Sequence, residues 1–63
     1  MLWDIEYTLD SEYNDPDFIV GLKTLSFAYA QAEVLKRSYG SRIKKLDIKG
    51  FSDGFLEEHI QII

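Results

Sequence analysis

Few side chains in this 63-residue chain could do chemistry. Nucleophilic catalysis needs a serine, threonine or cysteine beside a base that a third group holds in place. The chain has no cysteine and one histidine, His59, close to Glu58 and Gln61 in a stretch of β-formers, where a structural cross-strand role is expected. Glu57 and Glu58 are adjacent, so on a strand they face opposite sides and cannot work as an acid/base pair. Asp4 and Glu6 do share a face, where two exposed carboxylates are expected to solubilise or to guard a sheet edge. Asp10, Glu12 and Asn14 have the alternating oxygens with which a calcium loop begins, but Asp15 stands where that loop turns on a glycine and Gly21 where its closing glutamate belongs. Gly21, Gly40, Gly50 and Gly54 are scattered singly, so no phosphate-binding loop is present. No catalytic residue, metal ligand or cofactor is expected, and the chain does not read as an enzyme.

Charge offers a second kind of chemistry. The formal net charge is −4, unevenly spread. Residues 1–17 carry Asp4, Glu6, Asp10, Glu12, Asp15 and Asp17 without a base, whereas Lys36, Arg37, Arg42, Lys44, Lys45 and Lys49 lie within residues 36–49. The tail is acidic again at Asp53, Glu57 and Glu58. Segments of opposite sign are expected to be neighbours in the fold. The alternative is a polyanion patch of Lys36, Arg37, Arg42, Lys44, Lys45 and Lys49 with Tyr39, Phe51 and Phe55 nearby, the combination a nucleic-acid surface uses. The net negative charge opposes it through long-range repulsion.

The elements that position these groups follow from periodicity. Trp3, Ile5, Tyr7 and Leu9 alternate with Asp4, Glu6 and Thr8, which predicts a strand over 2–9. Asp15-Pro16 has the form of a helix start, with Asp as N-cap and Pro at the first helical position. Lys36 and Arg37 suit a helix C-terminus and Gly40 its end, which predicts one helix over 16–39. Leu46 and Ile48 alternate with Lys45, Asp47 and Lys49 in a second strand from about residue 42, where Ile43 has the wrong parity unless a bulge intervenes. Ser52-Asp53-Gly54 is a turn, and 56–63 is assigned as a third strand, with a short terminal helix as the alternative. Matched charges suggest strand order 1-2-3 with Lys49 opposite Glu57 and Asp47 opposite His59.

These elements make a single α+β domain over 1–63, β-α-β-β, with one long helix on a small three-stranded sheet and a parallel, right-handed crossover between the first two strands. A 24-residue helix is about 36 Å long and an eight-residue strand about 26 Å, so the helix overhangs. Phe18, Leu22, Leu25, Tyr29, Ala32 and Tyr39 form its wide apolar face against Trp3, Ile5, Leu46, Ile48 and Ile60. Val20, Phe27 and Val34 recur at intervals of seven on the opposite side, and a helix apolar on two sides is usually covered on both. A chain this short buries only about 60% of its unfolded surface. The expected function is that of a non-catalytic accessory or regulatory protein that forms a homodimer or docks on a larger protein through Val20, Phe27 and Val34. No signal peptide or membrane span is read, and a cytoplasmic location is expected.

Overall fold

A computed structural model describes residues 1–10 and 15–63. β1 (Leu2–Leu9) is the strand its alternation predicts, with Trp3 and Ile5 buried. The next element overturns the long helix: Asp17–Leu22 is a strand, β2, antiparallel to β1, with Ile19 opposite Ile5 and Phe18 opposite Glu6. The helix, α1, covers only Leu25–Tyr39. A single 3-10 turn at Gly40–Arg42 leads into β3 (Ile43–Ser52), and β4 (Phe55–Gln61) follows. The sheet runs β2-β1-β3-β4 and every pairing is antiparallel. The three-stranded β-α-β-β expectation is thus corrected to a four-stranded antiparallel sheet with one helix. Because β2 reverses the chain once more before the helix, β1 and β3 run antiparallel, and no parallel crossover joins the described strands.

Local chemistry explains the correction. Phe18-Ile19-Val20 is an aromatic and β-branched run, suited to a pleated surface. Gly21 has φ +74°, outside the helical region. The N-cap is Thr24, not Asp15: its backbone is extended and its Oγ1 accepts from the Phe27 amide at 3.1 Å. The register shifts between Trp3 and Ile5, which puts Ile19 and Leu22 on the same inner side although they are three residues apart. A bulged strand can therefore imitate the spacing of a helix. Gly40, at φ +56°, ends α1 and donates its amide to the Lys36 carbonyl, as its position predicts.

The core lies between α1 and one face of the sheet, formed by Trp3, Ile5, Leu22, Ala28, Ala32, Leu35, Ile43, Leu46 and Ile48. Ala28 and Ala32, both fully buried, leave room for the α1 backbone to come close to the sheet. With 15 residues, α1 is about 22 Å long, so it matches its strands and does not overhang. Phe18 and Tyr29, expected in the core, are exposed. Phe18 is on the helix-free side of β2, opposite Glu6. Ile43 is buried because the β1–β3 register shifts between Thr8 and Leu9, the bulge its parity required.

The register of β3 and β4 also differs from the charge-matched one. Asp53 and Gly54 both have positive φ, so the turn has two residues and pairs Ser52 with Phe55. A further shift between Gly50 and Phe51 then sets Ile48 opposite Ile60, Lys49 opposite His59 and Asp47 opposite Gln61. The amides of Ile62 and Ile63 both donate to the Leu46 carbonyl, at 2.8 and 3.1 Å.

Candidate interaction surface

The helix-free side of the sheet carries Asp4 and Glu6 from β1, Lys45, Asp47 and Lys49 from β3, and His59 and Gln61 from β4. Lys49 Nζ donates to Glu6 Oε1 at 2.9 Å. That hydrogen bond, against the opposing effect of desolvation, holds the Glu6 carboxyl below its ordinary range, with the Lys49, Lys45 and His59 charges adding to the lowering. Asp4 does not pair with Lys49, its cross-strand neighbour, but accepts the Gly21 amide at 3.0 Å through Oδ1, which pins the β2 bulge to β1.

Asp47 is the unusual member. Its side chain is 1% exposed, and neither carboxylate oxygen has a hydrogen-bond partner among the described residues. His59 Nε2 lies 3.3 Å from Oδ1 and Lys45 Nζ 3.7 Å from Oδ2, near enough for attraction but without hydrogen-bond geometry. The single histidine is thus placed against a buried carboxylate and not against a nucleophile. Among the described residues no group of three or more histidine, cysteine, aspartate or glutamate side chains is placed to hold a metal ion. The spacing of Asp10, Glu12 and Asn14 falls largely outside the described residues.

The six bases of 36–49 are dispersed. Lys36 pairs with Glu33 on α1 at 3.6 Å, Lys44 with Asp10 at 3.4 Å, Lys45 with Asp47 and Lys49 with Glu6. The Arg42 guanidinium sits 5.9 Å from the centre of the Tyr39 ring, which stacks on Tyr7. Arg37 is in the last turn of α1.

The expected contact residues Val20, Phe27 and Val34 are all exposed, at 67%, 52% and 53%. Their grouping is different from a single stripe. Phe27 and Val34 share the outer side of α1, about 10 Å apart along its axis. Val20 belongs to β2, where it alternates with Ile19 and so faces the helix-free side with Phe18. Phe27 also borders a shallow cleft of about 360 Å³ formed with Gly21, Leu22, Lys23 and Thr24.

A second apolar region was not read from the sequence. Met1, Leu2, Phe55 and Leu56 are exposed where β1 begins and the β3–β4 hairpin turns, and Leu2 pairs with Phe51, which pairs with Leu56. A cleft of about 450 Å³ opens there between Met1, Leu2, Phe51 and the turn, with Asp4 and Asp53 at its margin. One signal was available: Leu2 shares its parity with Asp4 and Glu6, so it had to face outward.

Comparison with protein-family models, with curated proteins and with solved structures finds no match to this chain. No helix among the described residues is long and apolar enough to cross a membrane.

Proposed function

We propose that this chain is a non-catalytic interaction module that docks on another protein through Phe27 and Val34 on the outer side of α1. The supporting observation is the balance of apolar residues. Nine apolar residues form the buried core, whereas ten large apolar side chains among the described residues stay more than 40% exposed. Of these ten, Phe27 and Val34 share the outer side of α1, and exposed apolar side chains grouped on one face mark contact surfaces more often than isolated ones do. Val20 is left out of this contact because it lies on the other layer. The nucleic-acid reading of 36–49 draws less support, since four of its six bases are engaged with Glu33, Asp10, Asp47 and Glu6.

Capture from cells of the source, with wild type, Phe27→Glu and Val34→Glu as baits, tests the proposal. A protein retained by wild type and lost with Phe27→Glu and with Val34→Glu supports it. Identical recoveries on all three baits refute this surface. Sedimentation equilibrium on the same proteins identifies the version in which the partner is a second copy, an antiparallel helix pair about a two-fold axis.

A further inference from the structure

We infer that the free edge of β4 receives an extended, basic segment of a partner protein as a fifth strand. This deepens the reading of the chain as an interaction module and rests on it. With order β2-β1-β3-β4, β4 has one edge without a partner among the described residues. The Ile62 amide reaches the Leu46 carbonyl, and the pairs Ile48 with Ile60 and Gly50 with Glu58 continue that register. Peptide groups of an antiparallel strand alternate in direction, so those of Glu58, Ile60 and Ile62 turn toward β3 while those of His59 and Gln61 turn to the open side.

The two edges of the sheet are not equivalent. Each edge strand carries a bulge, β2 at Gly21 and β4 at Glu57, but β2 also follows Pro16, which helps to blunt its edge. β4 from Glu58 to Gln61 keeps an unbroken register and is exposed along most of its length, with Phe55 76% exposed at its start. A free strand edge beside apolar side chains is the surface on which extended peptides add a strand.

Charge selects the occupant. From Gly50 to Ile63 the chain has three carboxylates, Asp53, Glu57 and Glu58, and no lysine or arginine. The nearest bases, Lys45 and Lys49 on β3, face Asp47 and Glu6. A second copy would bring two more carboxylates, Glu57 and Glu58, to the same seam, and each chain carries a net −4. A strand bearing lysine or arginine would instead place opposite charges across the new pair.

The test uses the full chain, labelled with nitrogen-15, and two end-blocked heptapeptides, one alternating lysine with valine and one alternating glutamate with valine. The lysine peptide should shift and protect the amides of His59 and Gln61, the glutamate peptide should leave them unmoved, and Glu57→Gln/Glu58→Gln should weaken binding about tenfold. A dispersed spectrum of that double variant confirms its fold. Equal binding of both peptides, perturbation centred on β2 or α1, or no perturbation overturns the inference. So do concentration-dependent shifts at His59 and Gln61 without peptide, which would identify a second copy as the occupant. If the peptide fails while Phe27-dependent capture succeeds, the β4 edge alone is removed; if both fail, the interaction reading falls with it.

Discussion

Gly50→Ala should destabilise this fold by crowding Trp3. A Cβ built on Gly50 would lie 2.7 Å from Trp3 Cζ3, 2.9 Å from Cε3 and 3.0 Å from Met1 Sδ. Carbon atoms in contact prefer about 3.5–4.0 Å, so the indole would have to retreat by roughly 0.8 Å or more. The Met1 contact is with the far end of a long, unbranched and half-exposed side chain, which can yield. Trp3 is buried in the core directly across from Gly50 and cannot move without disturbing its neighbours. Two terms compete. Alanine restricts the unfolded chain and favours folding by about 0.4–1 kcal/mol where the backbone accepts it. Overpacking a filled core costs about 1–3 kcal/mol. The net expectation is a loss of about 1–2 kcal/mol, or roughly 5–15 °C in midpoint for a domain of this size. Thermal unfolding followed by circular dichroism measures it. Emission from Trp3, the chain's only tryptophan, reports the displaced ring by moving to longer wavelength. Gly54→Ala is the control: nothing lies within 4 Å of its Cβ, but its φ is +82°, so it should lose stability through backbone strain and leave Trp3 emission unchanged. A Gly50→Ala protein as stable as wild type, with unshifted emission, would show that Trp3 is not crowded at this contact.

Other outcomes follow from the charged and aromatic side chains. Lys49→Gln should cost about 1 kcal/mol at neutral pH by breaking the partly buried contact with Glu6. Because Lys49 holds the Glu6 carboxyl low, that stabilisation is full above the unfolded carboxyl range and is lost as pH falls through the folded value. Urea midpoints of wild type and variant should therefore converge as pH falls below the ordinary carboxylate range, and a constant gap would contradict this. Burial, with the Asp17 and Tyr39 charges, raises the Tyr7 hydroxyl above 10.0, so its contribution is complete below about pH 10 and declines as pH rises and the unfolded state ionises first. Tyr7→Phe should reduce the alkaline loss of stability seen in urea titrations on either side of that pH. Asp47→Val should raise stability by about 1 kcal/mol, because it removes a buried carboxylate with no hydrogen-bond partner among the described residues and places a β-former in the centre of β3. Destabilisation in urea would show that the His59 and Lys45 contacts outweigh the desolvation.

The parts of this fold that were legible in the sequence were those with an uninterrupted period. Trp3, Ile5 and Tyr7 identified β1, Leu46 and Ile48 identified β3, and Gly40 ended the helix where its freedom at positive φ was needed. Two bulges and a two-residue turn hid the rest. At Gly21 the bulge turned a strand into a plausible first turn of helix, since Phe18, Leu22 and Leu25 keep helical spacing whatever structure they adopt. Near Gly50 a second shift moved His59 from opposite Asp47 to opposite Lys49, yet the His59–Asp47 contact formed diagonally at 3.3 Å. The exposure of Phe27 and Val34 was readable from α1 alone. The separation of Val20 from them was not, because it depends on whether residues 17–22 are strand or helix. The apolar end at Leu2, Phe55 and Leu56 is assembled from the first and last strands and needed the pairing register to be seen.

The Asp17–Leu22 segment decides between strand and helix. If Asp17–Leu22 is an edge strand, its backbone lies against β1, and nuclear Overhauser contacts should join Phe18 to Glu6 and Ile19 to Ile5. They would put Val20 on the sheet, apart from Phe27 and Val34. Helical contacts between residues three apart through 17–22, without cross-strand contacts to β1, would contradict the fold. They would return Val20 to one continuous helix face with Phe27 and Val34.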